Sequence, residues 1–296
     1  MPRVDIHAHI LPGLGDGPTT VEESLEMARM AARDGTGIIV ATPHYRDMEL
    51  EQQSPGIILE LADTLDAELR RDTQRRNSPA ARILTGMVHR LDTSLQDLVD
   101  SENAVTLNRS RFILVEPLFT RLPSYVDEMI GRLLTQRLVP VIAHPERNIE
   151  FQRNPKRLQL MVEDGVMVQL TAGSIMGRNG PGARRAAEQF IRRGIAHVVA
   201  SEMHSSRGPR SPLLTGAFEI VSGWVGEDEA IDLFETNPDM ILEGRTPQLR
   251  ERESRSRLHK LIPSVPSFEI ENPIPERTRR KWQRRFRRAT QLTSRG

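Results

Sequence analysis

From residue 3 to about residue 245, short apolar runs alternate with longer stretches of helical period. A chain written this way is driven toward parallel strands joined by crossover helices. The runs fall at residues 4–6, 37–41, 82–85, 112–115, 139–143, 166–170 and 197–200. Between the first two, Thr20 and Glu23 have capping-box spacing, which predicts a helix to about Asp34, ahead of Gly35. Helical period predicts further helices over 56–76, 123–137, 154–164, 183–193 and 211–235. Seven strands of this kind predict an α/β fold, a closed or nearly closed barrel. The competing open, doubly wound sheet lacks its Gly-x-Gly-x-x-Gly fingerprint after the first strand.

The chain has 296 residues, enough for one barrel of about 250 residues and a tail. Charge marks the same division. From Thr246 to Gly296 there are 14 Lys and Arg against 5 Asp and Glu, so residues 1–245 hold 27 against 35. We therefore read a barrel domain over 1–245 and a basic, largely irregular C-terminal tail over 246–296, rich in Arg and Pro. Within the tail, residues 277–288 carry eight basic side chains, while Trp282, Phe286, Ala289 and Leu292 recur at helical spacing. That outline fits a solvated extension, or an anchor over 277–296 for an anionic membrane or an acidic partner. The formal net charge of +1 argues against nucleic acid as a partner. No apolar run approaches the length of a membrane span, and MPRVDIHAHI lacks the form of a secretory signal, so a cytoplasmic protein is expected, at most peripheral to the inner membrane. The sequence contains no cysteine, which removes disulfides, thiolate metal sites and every cysteine nucleophile.

Five of the eight histidines stand at or just beyond the carboxyl end of an expected strand: His7, His9, His44, His144 and His204. Glu116 closes its own strand, and Glu202 stands two residues before His204. Parallel barrels place these strand ends on one face, so all seven side chains should converge. In extended backbone, residues i and i+2 point the same way, which lets His7 and His9 share one ion and pairs Glu202 with His204. Mixed imidazole and carboxylate ligands suit Mn²⁺, Fe²⁺ or Zn²⁺, and are compatible with Mg²⁺ or Co²⁺; this many ligands suggests two or three ions. Clustered divalent ions activate water and clamp phosphoryl oxygens, which makes phosphoester cleavage the leading chemistry. Arg147 and Arg207 are the candidate phosphate-binding side chains. Asp16, in Gly15-Asp16-Gly17-Pro18, reads as a turn residue, an outer ligand or a proton donor. His197 lies within its strand and is read as structural, and His259 lies in the tail.

These segments, Asp5-Ile6-His7-Ala8-His9 with Asp16-Gly17, then Thr42-Pro43-His44, Ala143-His144-Pro145-Glu146-Arg147 and Ser201-Glu202-Met203-His204, resemble the polymerase and histidinol phosphatase (PHP) family. The resemblance is to its bacterial protein-tyrosine phosphatase branch, the manganese-dependent enzymes of capsule and exopolysaccharide loci, and extends over about residues 3–245. It implies a distorted (β/α)7 TIM-like barrel (PHP fold), a trinuclear metal centre, and a phosphotyrosine protein substrate such as the tail of a bacterial tyrosine kinase. It places metal ligands at His7, His9, His44, Glu116, His144 and His204, and phosphate-binding arginines at Arg147 and at Arg207 or Arg210. Two positions depart from it. This chain reads Gly86-Met87-Val88 where the family reads Gly-x-Glu, and Ser201-Glu202-Met203-His204 where the family reads Ser-Asp-x-His. Besides the phosphotyrosine phosphatase, these departures leave open a degenerate relative acting as a binding or regulatory module, and a phosphatase of a small metabolite. A homo-oligomer is among the states the sequence allows.

Overall fold

The computed structural model describes residues 1–44, 55–79 and 81–249. Residues 250–296, with the basic 277–296 segment, lie outside the described residues. In chain order the elements are β1 (Arg3–Ala8), α1 (Val21–Arg33), β2 (Thr36–Ala41), α2 (Pro55–Arg76), β3 (Arg82–Thr85), β4 (Val88–Arg90), α3 (Ser94–Asp100), β5 (Phe112–Glu116) and α4 (Val126–Thr135). Then follow β6 (Val139–Ala143), α5 (Ile149–Arg153), α6 (Pro155–Glu163), β7 (Met167–Thr171), α7 (Ala172–Ile175), α8 (Gly180–Arg192), β8 (Val198–Ala200), α9 (Thr215–Val225), α10 (Glu227–Ile231) and α11 (Asn237–Leu242).

All strand pairs are parallel, in the ladders β1-β2-β3 and β4-β5-β6-β7-β8. Single bridges join the ladders at both seams, Ala8 with Met203 and His44 with Val88. β3 and β4 are one segment interrupted at Gly86-Met87, so eight short strands form seven staves. A side chain at Gly86 would meet Val40 at 2.8 Å and Thr42 at 3.1 Å, so glycine permits the close crossing against the end of β2. The expected distorted α/β barrel is thus laddered as three strands plus five.

Strand residues are apolar nearly throughout because both faces are covered. Leu114, Val141 and Val198 pack inside the ring, while Ile113, Ile142 and Val199 pack outward beneath the helices. Thr20 caps α1 as its spacing predicts, accepting the Glu23 N–H at 3.2 Å. The single helix expected over 211–235 is instead divided. Gly226, at φ +94°, separates α9 from α10, and a π-helical turn at Asp232–Thr236 leads into α11.

On β4 the alternation points Val88 and Arg90 toward a cavity at the carboxyl ends of the strands and His89 away from it. His89 is buried and donates from Nε2 to the Val105 carbonyl at 3.0 Å. Burial pushes its pKa down to about 4. Between about pH 6.5 and 4 the unfolded chain binds a proton there that the folded chain refuses, so this contribution is complete above pH 6.5 and lost as pH falls toward 4. The unfolding free energy from denaturant titration is expected to fall less between pH 7 and 4.5 for His89→Gln than for the parent, the difference being on the order of 2 kcal/mol. Equal losses would refute this.

Candidate metal centre

The seven converging side chains come from the ends of β1, β2, β5, β6 and β8. β1 places them through an irregularity. Asp5 pairs with Ile39 and Ala8 with Ala41, so β1 spends three steps where β2 spends two. That extra residue is a bulge, and bulges re-aim side chains. Ile6 joins the interior cluster, while His7, next in the chain, reaches Gln169 on β7.

His7 Nε2 and His9 Nε2 face each other at 3.1 Å. The His9 ring stacks on His204 at 3.8 Å between centroids and lies 4.5 Å from His44. Ligand atoms of His9, Asp16, His44 and His204 all fall within 4.8 Å of one another. A second group adjoins the first. Glu116 spans the two, with Oε2 3.5 Å from His44 Nδ1 and Oε1 3.3 Å from His144 Nε2. Glu202 Oε1 lies 3.9 Å from His144 Nε2.

Burial lowers the His7 pKa to about 3 against the pull of Glu202. Burial, with His204 and His7 alongside, holds His9 well below its usual value. Both are therefore neutral imidazoles with a lone pair available, the protonation state a metal ligand needs. For Glu116 burial opposes ionisation, but His144 and His44 outweigh it and hold the carboxyl at about 2. Glu202 is likewise held at about 2, with His144 and Arg147 overcoming burial. His144, 1% exposed, makes no hydrogen bond through either ring nitrogen. Burial disfavours charge on this imidazole, but Glu202 and Glu116 outweigh it and raise its pKa, so the position is one of negative potential that fits a divalent cation.

Two of the aiming residues carry backbone strain. His144 has φ +36° and Glu202 φ +53°, left-handed conformations that cost a non-glycine residue about 1–3 kcal/mol. The Glu202 carboxylate accepts from Arg147 Nη1 at 2.7 Å and from the Thr171 hydroxyl at 3.1 Å.

Of the arginines expected at the site, Arg147 lines the cavity, which has a volume of about 350 Å³. Arg207 is exposed and absent from the cavity lining, contrary to expectation. The reason is a loop closure. The His204 N–H bonds the Arg210 carbonyl at 3.0 Å, and Gly208 turns at φ +79°, leaving Arg207 on the turn and returning Arg210 to the site. Arg210 pairs with Asp16 at 2.9 Å and also contacts His204. Asp16 itself reaches His204 Nε2 at 3.1 Å. Burial would raise the Asp16 pKa, but His204 and Arg210 hold it below the usual range, so its geometry suits a ligand rather than a proton donor.

Asp5 and Gln169 support the cluster and carried no role in the sequence reading. Asp5 accepts from the Ser201 N–H at 3.1 Å and the Ser201 hydroxyl at 2.5 Å, tying β1 to the end of β8. Gln169 Oε1 lies 2.9 Å from His7 Nδ1; with the proton there, His7 Nε2 is left as the ligand atom. Their signal was available: each is a polar residue inside an otherwise apolar strand run. His89 and Asp92, which follow Val88, do not join the cluster. His89 faces away, and Asp92 accepts from the Ser94 N–H at 2.9 Å.

The family model described as "Capsular polysaccharide synthesis, CpsB/CapC" matches residues 3–243. The chain belongs to the CpsB/CapC family. It is 33% identical over 202 residues to the tyrosine-protein phosphatase YwqE of Bacillus subtilis (strain 168), covering 68% of this chain and 77% of that one. It is 28% identical over 246 residues to the tyrosine-protein phosphatase CpsB of Streptococcus pneumoniae, covering 81% and 98%. A structure from the crystallographic study of YwqE and CpsB, described there as unique metal-dependent tyrosine phosphatases, matches with a TM-score of 0.75 at 30% identity, over 84% of this chain and 100% of the other. Within this CpsB/CapC chain the matched span contains every side chain of the cluster, from His7 to Arg210, and ends before the basic tail.

Proposed function

We infer that this chain is a metal-dependent phosphohydrolase that cleaves phosphotyrosine in protein. The observation that carries the reading is the meeting, around one cavity, of His44, Glu116, Glu202 and Asp16 with Arg147 and Arg210, His9 and His204 standing behind the lining. His7, His9, His44, Glu116, His144, Glu202 and His204, with Asp16, would hold the ions. Mn²⁺ is our first assignment; one ion fits the group His9, Asp16, His44 and His204, and Glu116, His144 and Glu202 beside it offer ligands for a second. Divalent ions at such a site activate water and neutralise phosphoryl charge. Arg147 and Arg210 supply forked donors for the phosphoryl oxygens, and an incoming phosphate dianion competes with Glu202 and Asp16 for them. With no cysteine in the chain, a cysteinyl-phosphate route is absent.

The capsule-synthesis description of the family and the names of its relatives support a tyrosine-phosphorylated protein of polysaccharide export as substrate, with a kinase tail as the specific candidate. Among the described residues, no helix is long and apolar enough to cross a membrane. A cytoplasmic enzyme brought to the membrane or to an acidic partner by residues 277–296 is consistent with that and with the basic pattern of the tail.

A second reading rests on Val88, which presents a buried apolar side chain to the cavity. On that reading the chain keeps the barrel and one ion and serves as a regulatory module. Metal analysis of purified protein paired with phosphate release from a phosphotyrosine peptide separates the two. The phosphatase reading expects more than one equivalent of metal and turnover abolished by chelator. One equivalent or less, with no phosphate released, would favour the module.

A further inference from the structure

One wall of the cavity is aromatic. Phe119, in the loop between β5 and α4, is 43% exposed and lines the cavity. Apart from histidine, it is the only aromatic side chain in that lining among the described residues. A lone exposed phenylalanine is ordinary on a protein surface. This ring, however, is held in place. The Arg147 guanidinium lies 4.4 Å from its centroid, and the His144 ring lies 5.5 Å away, tilted by 33°. The Phe119 carbonyl accepts the Ile149 N–H at 2.9 Å, which fastens the loop to the start of α5. Leu118 and Ile149, both also exposed, extend the apolar character of this rim.

Arg147 therefore touches both the candidate ligand Glu202 and the Phe119 ring. A phosphoryl group held by Arg147 sits beside that ring. With the phosphoryl group turned toward the histidines, the alcohol portion of an ester would leave the cavity past the exposed part of Phe119. We propose that Phe119 is a specificity-determining residue that selects aryl over alkyl phosphate monoesters, receiving the aromatic ring of the substrate in an offset or edge-on pair. This rests on the phosphatase reading above and supplies a physical reason for tyrosine rather than serine or threonine as the alcohol.

The test measures binding, with phenylphosphonate and methylphosphonate as probes of equal anionic chemistry, titrated calorimetrically into the metal-loaded full chain. The parent is expected to bind phenylphosphonate about tenfold more tightly. Phe119→Ala should weaken phenylphosphonate by about tenfold and methylphosphonate by less than about twofold, while Phe119→Trp keeps the preference. Phe119→Leu, which keeps apolar bulk without a ring, should lose most of it and serves where the alanine variant folds poorly. Equal affinity of the parent for both probes, or binding of neither, overturns the proposal. So does equal weakening of both by Phe119→Ala, which would reduce the ring to a support for Arg147. Hydrolysis is read separately. A chain that prefers phenylphosphonate yet releases no phosphate from phosphotyrosine refutes the phosphatase reading and leaves this assignment standing.

Discussion

His9→Ala is expected to cost the protein its metal and about a thousandfold in phosphate release, equivalent to about 4 kcal/mol of transition-state stabilisation. His9 stands among the other histidines of the cluster. Its ring lies against His204 and His44, its Nε2 faces His7, and Asp16 approaches its Nδ1 at 3.7 Å. Removing it takes a donor from the tight four-residue group and leaves His7 without the partner that shares its direction. The fold should survive, because the change removes a polar side chain and leaves every residue of the apolar cores in place. Elemental analysis and a phosphotyrosine-peptide assay, with thermal melting as a control for folding, decide the matter. Parental metal content and turnover in a folded His9→Ala variant would remove this residue from the centre.

Val88→Glu should have effects of opposite sign in the two states of the protein. Val88 faces the cavity from β4, bridged to His44 on one side and paired with Leu114 on the other. Without metal, a carboxylate there is a buried charge beside Glu116 and Glu202, and the variant should melt below the parent. With metal bound, the same carboxylate would add negative charge and oxygen donors beside the site and so favour the cation. Affinity for the ion is expected to rise by about 10- to 100-fold, with melting restored or exceeded on loading and phosphate release raised at least about tenfold. A variant whose melting, metal content and turnover are indifferent to added Mn²⁺ would show that position 88 lies outside the reach of the ions.

The framework and the convergence of the candidate side chains were legible because the strand and helix runs follow simple periodicities and the histidines stand at the strand ends. Apolar runs of strand length alternate with helical stretches, Thr20 and Glu23 signal a cap, and the histidines recur just past the strands. What escaped depends on contacts between segments distant in the chain. The break at Gly86 exists because β3 crosses close to Val40 and Thr42, and no local pattern reveals that approach. The bulge in β1 is a difference in step count between two strands, invisible in either alone. Arg207 was preferred over Arg210 by nearness to His204 in sequence, whereas the bond from His204 to the Arg210 carbonyl reverses their nearness in space. Helix α3 was missed because it is only seven residues long, too short for a periodic signal to emerge.

The two seams of the strand ring lie at the site itself. One runs beside His7 and His9, where the Glu202 N–H bonds the His7 carbonyl at 2.9 Å and the His9 N–H bonds the Met203 carbonyl at 2.8 Å. The other runs between His44 and Val88. His7, His9 and His44 belong to the three-strand half, while Glu116, His144, Glu202 and His204 belong to the five-strand half. An ion shared among these side chains is therefore a rivet through the lines where the backbone holds the halves together least. On the proposed ligand set, metal loading is expected to raise rigidity together with activity, read as slower hydrogen exchange at both seams when Mn²⁺ is added.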